Sequence, residues 1–327
     1  MSLNFHSKFE EFKENMQDYL AITASGTSLI YNHKLDHIEL YSFIYNIELT
    51  SSDVARILNI QVDTSSEFGE EEIAEERDEA EAETEDFFTL LKERKDLFEE
   101  DYPFILEEEY HSIKLKSSLT NKQKTYLVLL CSSNLNRFKE FQKDLTNDFE
   151  KVSYYSFQNK FGEIGIVKEF GNNENYDENK TKEKIIAIAN DLNVKPREDR
   201  IERHISEYST KDRGLDLAVW SPFKDKIPNM FILLVQCASG ANWKTKLAEN
   251  KKICTFLDIN KTLLNFGFAV PFEFSNFKDE FEFLDDIESS DSIIFDRSRI
   301  LESIKEENIV DSFNIINKIL ESDFSYE

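Results

Sequence analysis

The chain has 327 residues, 65 acidic against 39 basic side chains and a net charge of -26, which argues against a generic nucleic-acid coat protein, because non-specific DNA affinity comes mostly from Lys and Arg neutralising phosphates. Three cysteines without metal-like spacing, an N-terminus MSLNFHSKFEEFKENM lacking an apolar signal core, and apolar runs far shorter than a membrane span indicate reduced thiols and a cytoplasmic protein with no membrane segment. The length allows two domains, and we expect an N-terminal α+β domain over 1–140 and a second domain over 141–327.

Residues 5–20 space Phe5, Phe9, Phe12, Met16 and Leu20 at three and four, which predicts an amphipathic helix. Residues 27–49 are rich in Ile, Tyr and Leu with partial alternation, which suggests short strands. His33 and His37 stand one helical turn apart but lack further ligands, so ordinary surface histidines are the main expectation. Thr50 to Asp53 caps a short helix over Val54–Leu58; its resemblance to the start of a helix-turn-helix is weakened by the lack of a basic recognition helix after it.

The next segment is strongly acidic instead. Residues 67–86 hold twelve Asp/Glu and one Arg, a net of -11, leaving -15 of the -26 for everything else. Such a run is ordinarily a solvated helix or a loop; the sharper alternative is a DNA-mimicking flap that shields a positive site. Phe87–Phe98 has helical spacing, Ile113, Leu115 and the run Tyr126–Cys131 suggest strands, and Phe138–Phe149 continues helically toward Phe157, with a further helix over Lys182–Leu192. Lys195, Arg197, Arg200 and Arg203 form a basic cluster that suits either a DNA backbone or a paired surface. The aromatics of 266–284 read as core or partner surface, and Asp296-Arg297-Ser298-Arg299 opens a helical stretch over Ile300–Ile319, its charges forming either a helix-start network or a phosphate contact.

The most informative stretch is Gly214-Leu215-Asp216-Leu217-Ala218-Val219-Trp220, a loop with Pro222 and Pro228, then the apolar run Met230–Ala238 broken only by Gln236. Two antiparallel strands fit, since the connection is too short for a parallel crossover. Symmetry about Lys226 sets Asp216 opposite Gln236, which predicts that both side chains leave one face. Asn242 is a natural N-cap for a helix over Trp243–Lys252, carrying Lys244 and Lys246 in its first turn. A carboxylate, an amide oxygen and a lysine are suited to a hard divalent cation and a phosphate.

At these residues the chain resembles the PD-(D/E)XK, or restriction-endonuclease-like, superfamily, whose Mrr-like members carry a Gly-x-Asp strand and a Gln-x-Lys strand. Gly214-Leu215-Asp216 and Gln236 match, while Ala238 stands where the strand lysine belongs. The resemblance implies an α/β (mixed α+β) fold in which a central mixed sheet is flanked by helices. It implies a Mg2+- or Mn2+-dependent endonuclease acting on DNA, with Asp216 anchoring the metal, Gln236 a neutral second ligand, Glu150 a helix-borne auxiliary acid and Lys246, or second to it Lys244, a migrated lysine in the role of the strand lysine. A looser similarity, through Asp101-Tyr102-Pro103-Phe104 and the Gln236–Lys246 block among others, is to bacterial proteins of phage-defence loci. It implies a protein partner from the same locus, further copies of the chain, or, as the alternative function, an inactive nuclease-fold subunit that binds a defence ATPase.

Overall fold

The computed structural model describes residues 2–20, 30–60, 70–107, 111–170, 180–209, 213–225, 227, 230–240, 242–247, 249–259, 264–274 and 291–324. The polar stretch 171–179 and most of the aromatic stretch beyond residue 274 lie outside them. In chain order the elements are α1 (Ser2–Leu20), α2 (Ile30–Tyr45), β1 (Leu49–Thr50), α3 (Ser51–Ile57), α4 (Glu70–Phe98), β2 (Phe104–Glu107), β3 (Ser112–Leu115), α5 (Asn121–Ser132), α6 (Gln142–Phe161), β4 (Ile166–Glu169) and α7 (Thr181–Asp191). Then come β5 (Lys195–Pro196), α8 (Glu198–His204), β6 (Leu217–Ser221), β7 (Phe231–Cys237), β8 (Leu257–Asp258), β9 (Leu264–Ala269), β10 (Ser292–Phe295), α9 (Arg297–Glu302) and α10 (Phe313–Leu320). The protein is mixed α+β. Among the described residues no helix is long and apolar enough to cross a membrane.

Contacts divide the chain into two units, one of residues 1–145, 273–279 and 311–327, the other of 146–272 and 280–310. The chain changes unit inside α6, between Leu145 and Thr146, rather than at residue 140. Its last segment belongs with the first unit, where Phe324 packs against Phe9 at 6.3 Å, so a single boundary does not describe the division.

In the first unit two expected strands are helices. The run Tyr126–Ser132 lies in α5, whose start is set by a capping box: Thr120 Oγ1 accepts from the Gln123 N–H, and Gln123 Oε1 accepts from the Thr120 N–H. Residues 30–45 likewise form α2, with Leu35 to Leu40 all buried. A helix enclosed on every side carries no simple apolar stripe, so its periodicity is weak. The capped helix α3 starts as expected, with Thr50 and Asp53 bonded reciprocally. Three short strands pair in the order β1-β3-β2.

The core of this unit encloses an ion network. Arg94 Nη1 lies 2.8 Å from Asp36 Oδ1 and 3.0 Å from Glu39 Oε1, all three side chains buried. The Tyr102 and Tyr126 hydroxyls donate to Glu39, and the Ser133 hydroxyl donates to Asp36. Burial works against the charge on Arg94, but Glu39 and Asp36 outweigh it and hold the guanidinium protonated well above its ordinary range. His37, expected at the surface, is also buried; its ring stands edge-on to Tyr41 at 4.8 Å. Burial first, then the neighbouring Arg137, push its pKa down to about 3, against a backbone hydrogen bond to Ile57 that raises it.

The second unit is built on a five-stranded mixed sheet in the order β10-β9-β7-β6-β4, antiparallel across β4/β6 and β6/β7 and parallel across β7/β9 and β9/β10. The expected continuous helix over Ile300–Ile319 is two helices, α9 and α10. Asp296 caps α9 by accepting from the Arg299 N–H. Arg297 and Arg299 donate to the carbonyls of Pro271 and Ile294; those donors serve backbone carbonyls, not phosphate.

Replacing Arg94 by Met strands two buried carboxylates and should cost about 3–5 kcal/mol in urea unfolding; a loss under about 1 kcal/mol would show that the network is not a structural pillar. His37 has a depressed folded pKa, so the unfolded chain binds its proton first, and stability should fall as pH drops from 6.5 toward about 3. Between wild type and His37→Gln the difference in slope should approach about 1.4 kcal/mol per pH unit, and it vanishes if the effect comes from elsewhere.

Candidate functional site

The predicted register holds from Leu217, which faces Val235, to Ser221, which faces Phe231, and would set Asp216 opposite Gln236 if it continued. The two side chains nevertheless part company. Ala218, Trp220, Ile232 and Leu234 belong to one core cluster with Ile253 and Leu257, and Leu215 belongs to it too. Leu215 and Ala218 are three residues apart, so in a regular strand they would lie on opposite faces. The Asp216 N–H bonds Val235 O at 2.9 Å, the residue already registered to Leu217, while Asp216 O accepts from the Phe170 N–H on the other side. Two residues therefore face one. This is a β-bulge, and it turns Asp216 to the side of Leu217.

That side is covered by α6. Phe157 of α6 packs against Phe295 of β10 with ring centroids 4.5 Å apart and planes tilted by 58°, and Phe295 lines Gly267 together with Val235 and Leu233. There the Asp216 carboxylate, 7% exposed, accepts from the Cys237 N–H at 2.7 Å. Cys237 is partly exposed as a residue, but its thiol is the buried part. Burial pushes that thiol well above its ordinary pKa, and the charges of Asp216, Glu150 and Glu169 push in the same direction, against a hydrogen bond from Ser153. Three carboxylates from three elements therefore bear on one buried sulfur: Glu150 from α6, Glu169 from the end of β4 and Asp216 from the bulge. Glu169 is the residue that sequence reasoning does not find. Its register partner is Leu217, which only the β4/β6 pairing makes apparent.

Gln236 and Lys246 lie elsewhere. Gln236, 4% exposed, follows Ile232 and Leu234 by alternation onto the opposite face, and its side chain bonds the Glu249 carboxylate. Its Oε1 is buried without a hydrogen-bond partner. Lys252 Nζ lies 2.8 Å from Glu249 Oε1, and this bond, with the Gln236 bond and the Lys246 charge, holds the Glu249 carboxyl below its usual range. The expected helix over Trp243–Lys252 is two 3-10 segments, Trp243–Lys246 and Asn250–Thr255. Asn242 makes no side-chain cap, and the buried Asn250 amide is drawn to Leu234 O and Gly267 O, which breaks the run. Gly214, at φ 78°, rests against Glu249: a Cβ there would meet Glu249 Cβ at 2.8 Å.

Among the described residues no group of three or more His, Cys, Asp or Glu is placed to hold a metal ion. The α6 face instead offers carboxylates without nitrogen ligands, a set that suits Mg2+, which takes one or two carboxylates and keeps waters and substrate phosphates as its other ligands. Asp216 and Glu150 meet that description, and Gln236, on the other face, drops out of the ligand set. No known protein family, curated protein or solved structure matches this chain.

The electrostatics of Cys237 can be measured. Cys131 and Cys254 are fully buried, so slow alkylation of the native protein should report on Cys237. Asp216→Asn or Glu150→Gln removes a charge that raises the thiol pKa. Either variant should alkylate faster at alkaline pH, with its pH profile shifted downward; an unmoved profile would mean that these carboxylates do not converge on the sulfur.

Proposed function

We propose that the second unit is a divalent-metal-dependent nuclease that hydrolyses DNA phosphodiester bonds within a bacterial anti-phage defence system. The observation that carries this reading is that the Asp216 carboxylate is fixed on the Cys237 N–H at the end of β7 and that the charge of Glu150, from the helix that precedes the sheet, acts on the same cysteine. That is the pairing implied by the resemblance to the PD-(D/E)XK superfamily. Further support comes from the order of elements: α6, antiparallel β4, β6 and β7, then β9 parallel to β7, in keeping with a restriction-endonuclease-like core. Bound Mg2+ or Mn2+ would polarise the scissile phosphoryl group and supply a nucleophilic water. Asp216 would hold the cation in an orientation set by the Cys237 N–H, Glu150 would complete the carboxylate pair, and Glu169 would add negative charge to draw the cation in.

A second reading, that of a nuclease-fold subunit which binds a partner protein without catalysis, is favoured by one specific observation. Gln236 and Lys246 are engaged with Glu249 on the far side of β7, which leaves the Asp216 face without the amide and the lysine that the superfamily places there. Cleavage of plasmid and linear DNA with Mg2+ or Mn2+ separates the two. The nuclease requires Asp216→Asn and Glu150→Gln each to lower the rate by roughly 10²-fold or more, the scale on which loss of one group that stabilises a transition state is felt. Wild-type activity in both variants, or no cleavage in any condition alongside a stoichiometric co-purifying partner, would transfer the assignment to the second reading.

A further inference from the structure

Of the ten large apolar side chains that stand exposed among the described residues, five come from two short segments of the second unit: Ile164 and Ile166 at 67% and 41%, and Phe223, Ile227 and Phe231 at 62%, 53% and 42%. The other five are scattered along the chain. Ser221, the last residue of β6, gathers the group. It pairs with Phe231, its hydroxyl donates to Ile164 O at 2.6 Å, and Ile166 pairs with Trp220 beside it. Phe223 lies two residues further on, in the β6–β7 connection that also carries Ile227, whose N–H bonds Asp225 Oδ1 at 3.0 Å. These side chains share the end of the sheet remote from Asp216, which enters β6 at its other end.

We infer that this end of the sheet docks against a second copy of the chain about a two-fold axis, with Ile164, Ile166, Phe223, Ile227 and Phe231 at the centre of the contact. The inference goes beyond the nuclease reading and does not depend on it. At these exposures the five side chains leave roughly 400–500 Å2 of apolar surface, as much as the largest patch on an ordinary monomer. Covered on both copies, that surface accounts for about 900 Å2, most of the roughly 1,200 Å2 at which specific association begins, and the polar rim supplies the rest. Such an area suits a reversible dimer. Charge selects the occupant. The chain carries -26, yet residues 163–166 and 221–227 hold Glu163 and Asp225 against Lys224 and Lys226, a local balance of zero. An acidic second copy is repelled by the chain as a whole and least at this spot. A rim that bears both signs complements itself under a two-fold axis, whereas a polyanion or a strongly basic partner gains nothing from a neutral patch.

The test is sedimentation velocity of the full chain over a concentration series at low and at high salt. Wild type should pass from monomer to dimer in the micromolar range. Salt should favour the dimer, because it screens the repulsion between two copies of charge -26 and leaves apolar burial intact. Ile164→Asp and Phe223→Asp should each raise the dissociation constant roughly tenfold or more, the scale on which loss of a central anchor is felt. Both side chains are exposed, so the variants should keep the circular dichroism and urea midpoint of wild type. Lys224→Glu should weaken the dimer as well, since it removes a cation from both halves of a self-facing rim. A wild-type monomer at every concentration, alone or bound to a different protein, would overturn the second copy as occupant. A dimer that survives both aspartate substitutions in folded protein, or that dissociates as salt rises, would place the contact elsewhere and overturn the patch.

Discussion

The hydrogen bond from the Cys237 N–H to the Asp216 carboxylate holds the arrangement of the second unit together. One extra residue in the strand entering β6 reverses the side-chain alternation, so that Leu215 enters the core and Asp216 turns to the α6 face. A bulge disrupts the ladder, and the buried Cys237 N–H is satisfied here by a side chain. Because that acceptor is a carboxylate, the bond is charge-assisted and directional. It fixes an acid at the end of the sheet, in a position where Glu150 and Glu169 add charge of the same sign.

The two units treat buried charge in opposite ways. In the first, Arg94 stands between Asp36 and Glu39, and tyrosine and serine hydroxyls supply further bonds to the carboxylates. Such a network is matched within itself. Around Cys237 the neighbouring charges that raise the thiol pKa are all carboxylates, and their field adds to the larger effect of burial. Like charges brought together in a partly buried place disfavour one another, and that cost is typical of places where a cation or a proton is handled. On the other face of β7 the imbalance is reversed, with lysines gathered around Glu249. One strand end thus separates an acidic face from a basic one.

Much of the fold is legible wherever a local rule carries the information. Helix starts at Thr50 and Asp296 rest on side chains that cap the first turn. The β6/β7 register comes from the length of the loop alone. Where burial is complete, local patterns fail: α2 and α5 are enclosed, so their apolar residues show no stripe to tell helix from strand. The segment 243–255 fails for a different reason, since a distant pair of carbonyls claims the Asn250 amide and interrupts a helix that composition favours.

By itself the sequence determined that the segments bearing Asp216 and Gln236 would pair as an antiparallel hairpin, that a helix bearing Glu150 would precede them, and that lysines would come after. Each of these depends only on spacing along the chain and on the geometry of a hairpin. Which side chains share a face was decided by the tertiary structure. A single bulged residue changes the parity of everything before it, and its signature lies in which carbonyl an N–H reaches across the sheet. For the same reason Glu169, distant in sequence, joins Asp216 and Glu150 around Cys237, while Gln236, the residue just before that cysteine in the chain, is turned away toward Glu249.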